Sequence, residues 1–131
     1  MKKFEVYLDI FGFDKNPEEL ARELNLAEVS LQYIGRIPEG YRRPAKENSI
    51  TLYSKRKEDE SLNIHIKDIL NRLPDSKEMA DILPKNSNLT MRVVVCIEDG
   101  QTSPSAAMFI EKSTMNQLSS FNCEMDFDIY G

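Results

Sequence analysis

The sequence predicts a single α+β domain: an antiparallel or mixed five-stranded sheet with helices packed against it, in the order βαβααββαβ. Three observations lead there. The chain has 131 residues, 40% hydrophobic and 30% charged, which suits one soluble core spanning residues 1–131 and leaves little room for a second. Near both ends apolar side chains alternate with polar ones, the period of a half-buried strand; between them lie runs spaced three or four apart, the period of a helix. Strands and helices do not take regular turns, which disfavours a doubly wound parallel fold.

The first strand is read from Phe4, Val6, Leu8 and Ile10, which alternate with Glu5, Tyr7, Asp9 and Phe11 and put four apolar side chains on one side. Gly12-Phe13-Asp14-Lys15 turns the chain. Asn16-Pro17-Glu18-Glu19 then supplies a helix cap, a first-turn proline and a glutamate three residues after the cap. Leu20 and Leu24 face inward on this short helix, and Asn25 ends it in the left-handed conformation. Residues 33–48 hold Gly35, Pro38, Gly40 and Pro44 without a sustained period and read as a long irregular loop. Ser49–Ser54 alternates around Ile50 and Leu52 as a second strand. After the solvated run Lys55–Glu60, the residues Leu62, Ile66, Ile69, Leu70 and Leu73 define the longest helix, capped by Asp59 or Ser61 and stopped by Pro74. Asp75 and Glu78 form a further capping box, with Met79, Ile82 and Leu83 on a short third helix.

Leu89, Met91, Val93, Val95 and Ile97 fall on one face of a strand whose other face carries Thr90, Arg92, Val94, Cys96 and Glu98, which marks it as central. Asp99-Gly100 opens a turn, and Ala106, Met108 and Ile110 predict a fourth strand. Thr114 to Gln117 reads as another capping box, with Met115 and Leu118 on one helical face and Asn122 as its terminator. The last strand places Cys123, Met125, Phe127 and Ile129 inward and Glu124, Asp126, Asp128 and Tyr130 outward.

Charge bounds the function. Seventeen basic and 22 acidic side chains leave a net −5, which opposes non-specific attraction to phosphate backbones, so nucleic acid is not an expected partner. Glu5 and Asp9 interrupt any apolar secretory segment, and the aliphatic stretch Val93–Ile97 is far shorter than a bilayer span of about 20 residues, so the expected location is cytoplasmic, away from membranes. Cys96 and Cys123 lack the close spacing of a zinc set; they read as free buried thiols, with a disulfide between two strands as the alternative. No cofactor or metal is expected.

These residues resemble the bacterial family of domain of unknown function 4279 over nearly the whole chain. The shared features are the first strand with Asn16-Pro17-Glu18-Glu19-Leu20, Gly35 in a basic loop, the helix Leu62–Leu73 and the closing Asp126-Phe127-Asp128-Ile129-Tyr130. Ile50 stands where that family usually has tryptophan. The resemblance implies an α+β domain with no established catalytic residue. Small intracellular domains of this kind often neighbour toxin genes, an analogy that points to immunity or antitoxin proteins.

Three groups of residues compete for a role. Glu124, Asp126 and Asp128 project from one side of the last strand at intervals of about 6.8 Å, a stripe that reads as a solvated, edge-protecting row or as a contact surface for a basic protein partner such as a toxin or effector domain, with Tyr130 beside it; a metal site would need acids converging from a neighbouring strand. Between Arg36 and Lys57 seven basic residues meet two acidic ones, a local +5 that leaves −10 elsewhere. Arg36, Tyr41, Arg42, Arg43 and Lys46 form the alternative site, a loop that closes over a small anion as a sensor would. His65, the sole histidine, lies about 80° from the centre of its helix's apolar stripe at 100° per residue. It would serve a third reading, an unrecognised hydrolase, although no nucleophile motif accompanies it. The expected function is therefore non-catalytic: an intracellular immunity-type protein, not an enzyme, that covers a basic effector surface with an acidic one.

Overall fold

The computed structural model describes residues 2–97 and 108–130. Strand β1 (Lys2–Phe11) runs through the middle of the sheet, and Phe4, Val6, Leu8 and Ile10 are buried as their alternation requires. Gly12 turns the chain at φ +86°; a Cβ there would meet the Asn88 Nδ2 at 2.9 Å, so both conformation and space call for glycine. Helix α1 (Pro17–Glu23) starts at Asn16, whose side chain accepts from the backbone N–H groups of Glu18 and Glu19, and Asn25 follows it at φ 54°.

Strands β2 (Ser30–Gln32) and β3 (Ser49–Tyr53) bracket the irregular loop. Asn48, buried at its base, accepts from the Ile34 N–H at 2.8 Å and donates to the carbonyls of Phe13 and Lys15, tying the loop to the start of α1. Helix α2 (Leu62–Asn71) is capped by Ser61 and buries Leu62, Ile66, Ile69 and Leu70; helix α3 (Ser76–Ile82) is capped by Asp75. Strand β4 (Asn88–Ile97), helix α4 (Lys112–Ser120) and strand β5 (Glu124–Tyr130) complete the chain.

The sheet order is β2-β3-β1-β4-β5, antiparallel at every junction except the last, where β4 and β5 run parallel with α4 between them in sequence. The fold is thus a single-domain α+β structure with a mixed five-stranded sheet. Leu20 of α1 and Leu24 at its C-terminal cap, Leu62, Ile66 and Ile69 of α2, Met79 of α3 and Leu118 of α4 join the inward residues of β1, β3 and β4 in one continuous core. The four helices among the described residues therefore cover the same face, and among those residues no helix lies on the opposite face of the sheet.

Four sequence expectations need correction. Strand β2 falls just before the irregular loop, where no element was expected, and Met108–Ile110 are not extended as a strand, so the observed order is βαββααβαβ; Ala106 and the Asp99-Gly100 turn lie outside the described residues. Helix α4 begins before Thr114: its first turn is tied instead by the Glu111 N–H donating to Asn63 Oδ1 of α2 at 2.9 Å, a tertiary bond that overrides the local capping box. Thr114 consequently faces the core with Leu118, while Met115 is exposed. Cys96 is exposed and Cys123 half-buried, and both thiols are free. Cys96 sits beside Tyr130 at one end of the β4–β5 ladder and Cys123 beyond the other. At a rise of about 3.3 Å per residue they are ~20 Å apart, far outside disulfide reach.

Candidate functional site

The uncovered sheet face collects the polar members of each alternating strand. Cross-strand register aligns Tyr53, Tyr7, Arg92 and Asp126 in one row and Thr51, Asp9, Thr90 and Glu124 in the next. The Tyr7 and Tyr53 rings sit 5.1 Å apart. Arg92 is the hinge of the charge pattern: its Nε donates to Asp9 at 2.6 Å and its Nη1 to Asp126 at 2.8 Å, and Thr51 also donates to Asp9 at 2.7 Å. The hydrogen bond that Arg92 donates to Asp9 is the main reason its guanidinium is held above its ordinary range. Burial, followed by the field of Asp9, raises the Tyr7 phenol; burial, followed by Glu5 and Asp9, raises that of Tyr53. Both rings stay neutral donors in an acidic surround.

The predicted acidic stripe occupies the outer strand of this face. Glu124, Asp126 and Asp128 are exposed, but they are not equivalent. Asp126 is bridged by Arg92, Asp128 accepts from the Tyr130 hydroxyl at 2.8 Å, and Glu124 carries no ion pair among the described residues. That bond to Asp128 is the leading cause of the raised Tyr130 pKa. The opposite side of β5 departs from expectation: Phe127 and Ile129 are 45% and 57% exposed instead of buried. The reason is position. β5 ends the sheet, so its inward side chains have strand neighbours on one side only.

The basic loop does not converge on a point. Arg36 lies 4.3 Å above the Tyr33 ring, held where Gly35 and Arg36 pair with Ala45 by backbone hydrogen bonds. Arg42, Arg43 and Lys46 are exposed and, among the described residues, make no ion pair. Tyr41 is the member that reaches the open face, where with Tyr7, Asp9, Tyr53 and Arg92 it lines a small cavity of about 220 Å³.

His65 gains a partner that sequence reasoning missed. Its Nδ1 lies 2.7 Å from the Ser54 Oγ, which also accepts from the Arg56 N–H. Ser54 continues the inward parity of Ile50 and Leu52, and that period-two count was the available signal. With the Arg56 N–H already donating to it, the Ser54 hydroxyl is free to give its own proton to Nδ1. His65 is 1% exposed, and its Nε2 is buried without a hydrogen-bond partner. Burial is the main cause that lowers its pKa; the Lys57 carbonyl and the charges of Glu60 and Asp68 oppose it. Among the described residues no carboxylate bonds to the ring: Glu60 is taken by Arg56 in a two-pronged bridge, and Asp68 by the Lys55 N–H and Arg72. A cavity of about 460 Å³ adjoins the pair, lined by Phe4, Ser54, Arg56 and Glu58, yet the imidazole itself forms its wall from within the core.

A larger cavity of about 670 Å³ lies between α3, α4 and the start of β5, where Cys123 and Glu124 are its ionisable groups. Burial pushes the Cys123 thiol up to about 11, which makes it a poor nucleophile there. Among the described residues no three His, Cys, Asp or Glu side chains are grouped to hold a metal ion, and no helix is long and apolar enough to cross a membrane.

The family model described as Domain of unknown function (DUF4279) matches residues 2–131, essentially the whole chain. No curated protein and no solved structure matches it.

Proposed function

The chain belongs to the DUF4279 family, and from the character of its open, polar sheet face we propose that it is a non-catalytic intracellular binding protein of the immunity or antitoxin type, which neutralises a basic protein partner by covering it. The observation that carries this reading is the acidic outer strand, where Glu124, Asp126 and Asp128 stand exposed on a face that no described helix covers. Arg92 offsets one of the two acids it bridges, so this region keeps a net negative charge that speeds encounter with a basic surface. Tyr130, 56% exposed beside Asp128, adds the kind of flat amphipathic ring favoured at interface centres.

The test is affinity capture from a lysate of the protein's own cells, run in parallel with the double variant Glu124→Lys/Asp128→Lys, which leaves the Arg92 bridge intact. The expected result is a basic protein retained by the wild type, released as salt rises, and lost by the variant. Equal retention by the variant, or capture of a partner that is not basic, overturns the proposal. The anion-sensor reading, through Arg36, Tyr41, Arg42, Arg43 and Lys46, predicts instead a rise in melting temperature with phosphorylated metabolites.

A further inference from the structure

Strand β5 is seven residues long and ends the sheet, and among the described residues no strand pairs with its outer side. Alternate residues along such an edge direct their N–H and C=O groups outward, a ready template for another strand. Proteins blunt long edges with proline, bulges, brevity or charged side chains, and of these β5 has only the charges, all acidic, which turn away acidic strands and not basic ones. β2, at the opposite edge, is only three residues long. β5 has no proline, and its register with β4 is unbroken from Glu124 to Tyr130. Its side chains also lack what a neighbour would provide: Phe127 and Ile129 remain half exposed on the helix side, while Asp126 and Asp128 stand on the open side.

A second copy is a poor occupant. Added antiparallel about Phe127, with both helical layers on one side, it would set Asp126 against the other copy's Asp128, and like charges directly opposite one another destabilise a strand pair. Charge and pattern together select a different strand. We propose that β5 is extended by a strand of the basic partner, with lysine or arginine at two positions two residues apart facing Asp126 and Asp128, one aliphatic residue between them against Phe127 and another flanking them against Ile129. This rests on the basic partner proposed above and adds how it is held: main-chain hydrogen bonds give affinity, and the alternating side chains give register.

The probe is a fluorescent seven-residue peptide alternating lysine and valine, followed by anisotropy against the intact protein. Two further peptides carry N-methyl groups on all lysines or on all valines. In an added strand only alternate N–H groups face β5, so one methylated peptide binds about tenfold or more weakly and the other keeps its affinity. A glutamate–valine peptide and the Asp128→Lys protein each lose affinity by a similar factor. Because the decisive change is made in the peptide, the outcome does not depend on whether a variant folds. Equal binding by both methylated peptides overturns strand addition and leaves charge-driven binding of a basic partner standing. Failure of every peptide, with a basic partner still captured from lysate, overturns strand addition as well. Failure of every peptide together with a non-basic captured partner removes the underlying reading too. A wild-type dimer in sedimentation that Ile129→Pro dissociates assigns the edge to a second copy and overturns the proposal.

Discussion

Replacing Arg92 by alanine separates the two carboxylates it joins, and the structure says the losses are unequal. The Asp9 side chain is 19% exposed and receives the Arg92 Nε at 2.6 Å; the Asp126 side chain is 58% exposed and receives Nη1 at 2.8 Å. A charge-assisted bond to a mostly shielded carboxylate contributes about 1.5–3 kcal/mol, whereas a solvated ion pair contributes about 0–1 kcal/mol. Arg92 is itself about a third exposed, so the lower part of the first range applies. The Thr51 hydroxyl continues to satisfy Asp9 after the change, which limits the loss further. The expected cost of Arg92→Ala is therefore about 2 kcal/mol, or roughly 7 °C in melting temperature for a domain of this size. Urea unfolding of Arg92→Ala, Asp9→Ala, Asp126→Ala and the two double variants gives the coupling energies directly. Asp9–Arg92 should couple at about 1.5 kcal/mol and Asp126–Arg92 at under about 0.5 kcal/mol. Equal couplings, or a larger one for Asp126, would refute the argument that shielding ranks these bonds.

Other outcomes follow from the same geometry. His65 is buried with a lowered pKa, so the unfolded chain binds the proton first as pH falls. Stability should hold above about pH 6.5 and decline as pH drops from there towards the folded-state pKa, and in His65→Gln the urea midpoint should lose this pH dependence. Leu8→Ala, at a fully buried site in the central strand, should cost about 3 kcal/mol without changing the denaturant slope. Asn16→Ala removes the acceptor of two N–H groups and should cost about 1 kcal/mol by thermal unfolding. With a thiol reagent at mildly alkaline pH, exposed Cys96 should react fast and Cys123, pushed up to about 11, at least about tenfold more slowly; two equal phases would contradict that burial.

What could be read from the chain by itself was whatever depends on neighbours a few residues apart. The alternation in β1, β3, β4 and β5, the caps at Asn16, Ser61 and Asp75, and the left-handed stops at Asn25 and Asn122 are local, and all of them are present. Strand β2 escaped notice because three residues with Leu31 as their one inward side chain are too few to show a period. The helix start at Lys112 escaped because its tie, Asn63, lies 48 residues before Glu111.

The candidate site divides in the same way. Period two was enough to put Glu124, Asp126, Asp128 and Tyr130 on one side of a strand. It could not tell that this strand ends the sheet, that Arg92 binds one of those acids, or that Ser54 meets His65. An identical alternation buries Val6 in the middle of the sheet and leaves Phe127 and Ile129 half bare at its edge. Which way a side chain points follows from its own backbone. How much water it keeps depends on which distant segments pack beside it, and only the assembled tertiary fold decides that.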